Sequence, residues 1–468
     1  MVDTIISNAQ SSDPYLTTGD SLTITATGAL TTSVGVLAEG GNIRVDIALG
    51  GSVSGSVFDA IVMFADFLDV AGSTGNLVTN SGTITAQLNG VYMETGGSTI
   101  VNRGTIESIG GGDPAVAITD NPYQTAGADT GSVLNNFGTL TGFVGAQLTD
   151  DNGVIRNFAT GSITGTLAGV TLSGAVGGIL VNRGSITGAT AIGGNADDLR
   201  IVNIGTLTST GTFAVDVITD GGFFRNEATI AQPVLFGGDG AEFRNLGTIS
   251  APVTLVFDSV DDTTGVTFMN RGSGTVTAQL TGSNGPDRII GAGFTGSAHG
   301  NLGDDTLRGG GGDDSFYGGL GADYLQGRGG HDLLDGDGGT NAAGAATAGN
   351  DTLIGNAGND TLLGGAGSDV LNGGKGDDSL TGGSEADTFV MRRVGNGDDQ
   401  ITDFQNGTDV IDISDLALTG YGDITGTPGA LSEANGALVI DLSLLGGSGS
   451  VTVTGLTLAT VDATDFTF

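Results

Sequence analysis

Ten aspartates occupy one place in a nine-residue unit that recurs between residues 282 and 390: Asp287, Asp305, Asp314, Asp323, Asp332, Asp351, Asp360, Asp369, Asp378 and Asp387. Glycines cluster at the start of each unit. Two places after each aspartate comes an apolar residue: Ile289, Leu307, Phe316, Leu325, Leu334, Leu353, Leu362, Leu371, Leu380 or Phe389. A carboxylate is a hard anionic oxygen ligand, and tight glycine turns expose backbone carbonyls beside it. With two units to a coil, aspartates nine apart face opposite sides and those eighteen apart stack. Stacked carboxylates repel unless a cation lies between them. An all-oxygen donor set selects calcium over zinc or copper, and a flexible turn suits calcium better than the strict octahedron of magnesium.

The same stretch carries sixteen acidic side chains against four basic ones. Ordering its glycines costs roughly 1–2 kcal/mol each, and a thin core of single apolar plugs cannot offset that cost together with the repulsion. The segment is therefore expected to be unfolded without divalent metal and folded with it. The frame breaks twice, in a degenerate unit between Asp287 and Asp305 and in "DGDGGTNAAGAATAG" at 335–349. His299 and His331 fall at variable places and read as solvated turn residues, and no HExxH zinc motif is present.

Units such as "GGLGADYLQ" (318–326), "GNAGNDTLL" (355–363), "GGAGSDVLN" (364–372) and "GGKGDDSLT" (373–381) resemble the RTX, or hemolysin-type calcium-binding, repeat GGxGxDxUx. The resemblance covers about a quarter of the chain. It implies a parallel β-roll binding several calcium ions, held by the sixth-place carboxylates named above and by turn carbonyls. In this sequence those carbonyls are those of Gly300, Gly309, Gly318, Gly327, Gly355, Gly364 and Gly373. Two departures bear on individual sites: Glu385 at the fourth place of the last unit, and the missing aspartate in the unit starting at Gly291. The segments "GNGDDQITDFQNGTDVIDISDL" and "GALVIDLSLLGGSGSVTVTGLTLATVDATDFTF" resemble the region C-terminal to such repeats in proteins exported by type I secretion, whose signal is C-terminal and uncleaved. The first residues, lacking a basic and then apolar leader pattern, agree with that expectation.

A different repeat precedes the tandem. "NSGTI" at 80–84, "NRGTI" at 102–106, "NFGTL" at 136–140, "NRGSI" at 182–186, "NIGTL" at 203–207 and "NLGTI" at 245–249 are joined by weaker copies from Asn157, Asn226 and Asn270. Steps of about twenty residues, with β-branched runs between glycines, indicate a solenoid with at least two short strands per coil. The asparagines are expected to stack at a turn and hydrogen-bond along the stack. The uneven steps, the longest between Ile106 and Val133, point to loops leaving the coils. Arg103, Arg183 and Arg271 each follow a ladder asparagine, either as solvated charges or as contacts to a neighbour.

The expected fold is all-β: a right-handed parallel β-helix over 1–280, a calcium-binding β-roll over 281–390 and a small C-terminal β segment with the secretion signal over 391–468. With 52 acidic against 14 basic residues and a net charge of -38, the composition argues against nucleic acid and anionic membrane as partners and for bound cations. The absence of cysteine rules out disulfides and thiolate metal sites. "AIVMFADFLDV" at 60–70, interrupted by Asp66, is too short to span a bilayer, so no transmembrane segment is expected. Paired acids Asp150 and Asp151, Asp197 and Asp198, and Asp261 and Asp262 read as surface loop acids rather than catalysts, so no enzyme is expected. The leading expectation is a secreted surface protein that assembles with copies of itself as a sheet or filament, as in an S-layer or extracellular matrix. A glycan-binding adhesin engaging cell-surface polysaccharide is the alternative, and a polysaccharide lyase or epimerase comes third.

Overall fold

The computed structural model describes all residues except 1–2, 7–13, 18, 26, 33–35, 40–41, 56–58, 65–74, 95–96, 120–130, 175, 257–263, 273, 292–293 and 339–348. Asp66, Asp261, Asp262, the middle of the long 106–133 interval and most of the 335–349 frame break lie outside the described residues. The chain divides into two compact units, Met1–Ala251 and Pro252–Phe468. The change of repeat type near residue 280 falls within the second.

The first unit is a parallel β-solenoid. Strands Leu77–Asn80, Thr99–Asn102, Val133–Asn136, Val154–Asn157, Ile179–Asn182, Arg200–Asn203, Phe223–Asn226 and Glu242–Asn245 pair in parallel with asparagine opposite asparagine. After the turn each coil continues into a second strand, such as Thr105–Ser108 or Ser185–Gly188, and a third, such as Pro114–Ile118 or Val215–Ile218. In two coils the second and third are fused, as Thr139–Leu148 and Ser162–Ser173, with a register shift between Gly142 and Val144.

Alternation along each strand points one residue in two at the core. Ile100, Leu134, Ile155, Leu180, Ile201, Phe224 and Phe243 stack inside, all fully buried, and Ile106, Leu140, Ile163 and Ile186 do so on the second strands. Each such side chain contributes about 1.5–3 kcal/mol by leaving water. Phe224, Phe236 and Phe243 form a ring cluster with centroids 4.5 and 5.7 Å apart.

The asparagines are buried as well, and they pair with each other. Asn80 Nδ2 donates to Asn102 Oδ1 at 2.9 Å, and the relay continues through Asn136, Asn157, Asn182, Asn203 and Asn226 to Asn245 at 2.8–2.9 Å. Asparagine can do this because its amide donates and accepts, so each rung satisfies the next. The glycine two places later is fixed by crowding: a Cβ on Gly104, Gly184 or Gly205 would collide with the glycine carbonyl of the coil before. Of the recurrent arginines, Arg103 lies 5.2 Å above the Phe137 ring, which itself stacks on Phe158 at 4.0 Å. Arg271 Nη2 reaches Met269 Sδ at 3.1 Å.

One reading of the paired acids is corrected. Asp150 is not a surface acid but fully buried, its Oδ2 accepting from the Ser132 N–H at 2.6 Å. Asp151 accepts from the Val176 N–H at 3.0 Å, and Asp197 and Asp198 are exposed.

Within the second unit, after a coil of three strands (Thr267–Asn270, Thr275–Val276 and Leu280–Thr281), the coils shorten to two strands each. Arg288–Gly291, Thr306–Arg308, Tyr324–Gln326, Thr352–Ala357, Val370–Lys375 and Thr388–Val390 pair in parallel on one side, and Ser297–Leu302, Ser315–Leu320, Leu333–Asp335, Thr361–Ala366 and Ser379–Ser384 on the other. Partners lie eighteen residues apart, as Thr306 opposite Tyr324, except across the frame break, where Tyr324 faces Thr352. The degenerate unit keeps its place with Ala298 opposite Phe316. Beyond the tandem, Asp398–Ile401 and Val410–Asp412 extend the two sides. A small antiparallel group, Leu431–Ala434, Ala437–Asp441 and Ser450–Val453, then joins through Ser450–Val453 to Asp398–Ile401. No helix among the described residues is long and apolar enough to cross a membrane.

Replacing a mid-ladder amide, as in Asn182→Ala, removes three side-chain hydrogen bonds, to Asn157, Asn203 and the Thr206 carbonyl, and leaves its neighbours' groups unpaired. The substitution is expected to destabilise the first unit by about 2–4 kcal/mol, read as a fall in the urea midpoint. Arg183→Ala on the same turn is expected to change it by less than about 0.5 kcal/mol.

Candidate metal centre

The sixth-place aspartates form two columns, one along each side of the short coils. Each backbone N–H donates to the Oδ1 of the aspartate one coil later. On one side the relay runs Asp287, Asp305, Asp323, Asp351, Asp369 and Asp387 at 2.7–2.9 Å, and on the other Asp314, Asp332, Asp360 and Asp378 at 2.8–2.9 Å. All ten are at most 2% exposed. The columns pass through the frame break unaltered, since Asp323 binds Asp351 and Asp332 binds Asp360 across 28 residues.

This pattern uses one oxygen of each carboxylate. In Asp305, Asp323, Asp332, Asp351, Asp360, Asp369, Asp378 and Asp387 the Oδ2 is buried without a hydrogen-bond partner. Asp314, first in its column because Gly296 stands where an aspartate would, instead leaves Oδ1 unpaired and accepts from the Gly310 N–H at 3.0 Å. Asp287 differs, since Ser283 donates to it from both N–H and Oγ at 2.5–2.7 Å.

The leftover oxygens are cradled by glycine. A Cβ built on Gly300, Gly309, Gly318, Gly327, Gly355, Gly364 or Gly373 would collide with the carboxylate five places on. The same space is bounded by a carbonyl of the next coil: that of Gly318 for Asp305, Gly327 for Asp314, Gly364 for Asp351 and Gly373 for Asp360, with Gly300 beside Asp287. Gly336 and Gly382 present their carbonyls likewise, to Asp323 and Asp369. The Gly355 carbonyl accepts from the Arg328 N–H at 2.8 Å. The second and fourth places carry positive φ, as in Gly319 and Gly321 or Gly374 and Gly376. Asn301, Arg328, Asn356 and Glu385 adopt it too, at 80–86°. The departure at Glu385 thus keeps the turn.

Among the described residues no three carboxylate or imidazole side chains converge on one point. The carboxylates arrive singly, and those of Asp287, Asp305, Asp314, Asp323, Asp351, Asp360 and Asp369 share their space with a glycine carbonyl, which is a donor set for a hard cation. Burial, with like charge above and below, pushes these carboxyls far from their usual range. Asp305 rises to about 10, through burial first and then the neighbouring Asp287 and Asp323. Burial raises Asp351 to about 8 and Asp314, Asp323, Asp360, Asp378 and Asp387 to about 7. Asp369 rises to about 6 for the same reason. Buried, half-bonded carboxylates of this kind require a proton or a cation.

Both columns continue beyond the tandem. The Asp378 N–H donates to Asp399 Oδ1 and the Asp387 N–H to Asp409 Oδ1, both at 3.1 Å. Asp399 is raised to about 7 by burial, while the Asp409 Oδ2 is occupied by the Gln405 N–H at 2.7 Å. The glycine frame gives no sign of either residue. Their trace in the sequence is an apolar residue two places on, Ile401 and Ile411. Asp403 closes the last turn by accepting from the Gly382 and Gly383 N–H groups at 2.9 Å.

Outside the columns lies a second, exposed rail at the fifth place. Asp304 Oδ1 accepts from the Ala322 N–H, Asp313 from His331, Asn359 from Asp377 and Asp377 from Asp398, at 2.8–3.1 Å. His331 belongs to this rail, its Nδ1 accepting from the Asn359 N–H at 2.9 Å. His299 is not a solvated turn residue. It sits in strand Ser297–Leu302, half-buried and stacked on Tyr317 at 4.5 Å, and burial lowers its pKa.

The family profile of the RTX calcium-binding nonapeptide repeat matches the chain in four copies, at residues 296–325, 309–342, 345–371 and 363–390. No curated protein matches the chain. The second unit therefore carries an RTX calcium-binding repeat within a mostly parallel β-solenoid.

The raised carboxyls set a pH dependence. Below about 3.9 each is protonated whether folded or unfolded and costs nothing, and as pH rises through the folded value the penalty grows to its full size. Without metal the second unit is expected to be most stable near pH 4 and to lose stability from there through the folded values of about 6 to 10. Calcium should reverse the trend, binding more tightly as pH rises and displacing protons. Circular dichroism in chelator at pH 4.5 and pH 8, and calorimetry at pH 7 in buffers of different ionisation heat, test both. Asp360→Asn is expected to stabilise the metal-free state by on the order of 1–3 kcal/mol while weakening calcium binding. Destabilisation without metal would contradict the assignment.

Proposed function

We propose that the chain is a secreted structural protein of the bacterial surface that folds on binding calcium outside the cell and assembles with copies of itself. The observation that carries this reading is the pair of buried carboxylate columns in which nine of the ten tandem aspartates keep one oxygen unused. The ions would be held by Asp305, Asp314, Asp323, Asp332, Asp351, Asp360, Asp369, Asp378 and Asp387, together with the glycine carbonyls that bound the same spaces. Asp287, already satisfied by Ser283, and Asp409, satisfied by Gln405, would act as end rungs, and Asp399 would extend one column. Calcium supplies the positive charge that lets buried carboxylates stay ionised. The chain aims one oxygen of each carboxylate at a common strip, keeps a Cβ out of it with glycine, and ties the other oxygen to the coil before.

Free calcium is scarce in cytosol and reaches the millimolar range at which extracellular sites operate only outside. A chain of this design remains threadable inside and folds after export, and type I secretion is the route proposed. With no cysteine in 468 residues, metal takes the part that disulfides play in other exported proteins. The exposed acids of the outer rail offer further oxygen ligands through which calcium can bridge copies. The reading assigns no catalysis.

A second reading, a glycan-binding adhesin, is favoured by one feature of the first unit. A groove of about 830 Å³ runs over four coils, lined by hydroxyls such as Ser162, Ser185, Thr206 and Thr229 with Arg183 and Gln232.

The full chain is expected to gain strand signal in circular dichroism when calcium replaces chelator, and equal strand content in both would refute calcium-driven folding. Electron microscopy is expected to show ordered sheets or filaments with calcium only. Monodisperse monomers at high calcium, with retention on a glycan array, would favour the adhesin.

A further inference from the structure

A cavity of about 350 Å³ in the second unit is lined by chemistry opposite to the chain's overall charge. Gln326, Ile354 and Asn372 occupy successive strands in one outward-facing register column and form its floor. Lys375, the only lysine of the chain, and Arg392 stand at its edge. Neither forms an ion pair among the described residues, although the chain has 52 acids available.

Asn372 supplies an independent sign. It is only 9% exposed, yet its amide makes no hydrogen bond among the described residues, and it opens into this cavity. Its amide atoms stay accessible through the cavity, whereas each rung of the first unit's asparagine ladder is paired. An unpaired amide beneath two unpaired cations is arranged to receive acceptor oxygens. The volume lies at the small end of ligand cavities and holds about one sugar ring. Ile354 and Val394, the latter 75% exposed, offer apolar surface for the C–H face of such a ring.

We propose that this cavity binds one acidic sugar unit of a polysaccharide. Its carboxylate or phosphate lies between Lys375 and Arg392, and its hydroxyls meet Asn372, Asn356 and Gln326. The site would hold the folded protein to an anionic glycan. It depends on calcium folding of the second unit, and it does not depend on assembly.

The test uses the full chain in excess calcium, titrated calorimetrically with trigalacturonate, glucose 1-phosphate, glucose and inorganic phosphate. One or both acidic sugars are expected to bind, glucose weakly or not at all, and Lys375→Met and Arg392→Gln each to weaken binding at least about tenfold. Asn372→Leu should weaken it while leaving the calcium response in circular dichroism intact, which separates loss of the site from loss of the fold. Preference for trigalacturonate identifies the carboxylate as the anchor, and preference for glucose 1-phosphate the phosphate. No binding of either at about 10 mM, binding unchanged in the variants, or inorganic phosphate binding as well as the sugars would overturn the proposal.

Discussion

A carboxylate buried in a stack of its own kind is the constraint on which the second unit depends. Aspartate offers only acceptors, so a column of aspartates cannot satisfy itself. One oxygen is met by the backbone N–H of the preceding coil, and the other faces glycine carbonyls, which are acceptors too. Away from the column ends, where Gly310, Ser283 and Gln405 donate, no hydrogen-bond donor among the described residues meets the second oxygen. The geometry is consistent with the sequence and with itself only when something positive enters, and at neutral pH the choice lies between protons and hard cations.

The first unit solves the same problem without an outside agent. Its asparagine ladder occupies the equivalent place, a turn where one polar side chain per coil points inward, but each amide donates to the next and accepts from the one before. One atom separates the two side chains, nitrogen in place of oxygen. It divides a ladder whose side chains satisfy one another from columns in which most carboxylates keep one oxygen unmet. The cores follow the same division: the three-strand coils bury Ile, Leu and Phe on every face, whereas the two-strand coils bury one plug per strand. A thin core leaves little apolar burial to offset the cost of the unmet carboxylates.

Much of this was legible because both repeats are strict where the physics is strict. Asparagine, glycine and the β-branched residue hold their spacing since each meets its own copy in the next coil, and glycine, aspartate and the plug do so for the same reason. The features hidden from sequence lie where contacts are not between like positions. Asp399 and Asp409 continue the columns without the glycine frame, because there the turn is closed by Asp403 and Gln405. Asp150 looks like any loop acid in sequence, and only the Ser132 N–H marks it as structural. His299 looks solvated in sequence because its partner, Tyr317, lies eighteen residues away on the next coil. The antiparallel C-terminal group has no repeat to announce it. The cation pocket joins Asn372 and Lys375 to residues of other coils and to Arg392, a proximity that no linear spacing encodes.

The unbroken passage of both columns across residues 323 to 360 shows that alignment in the second unit is dictated by rung-to-rung bonding and is indifferent to how much chain intervenes. Ten additional residues are absorbed between Gly338 and Gly349 while every rung stays in step. The interval is therefore a natural splice point. Lineages can acquire a new surface determinant there, and an engineer can graft an epitope or a small domain, for the entropy of one longer connection and without re-indexing the scaffold.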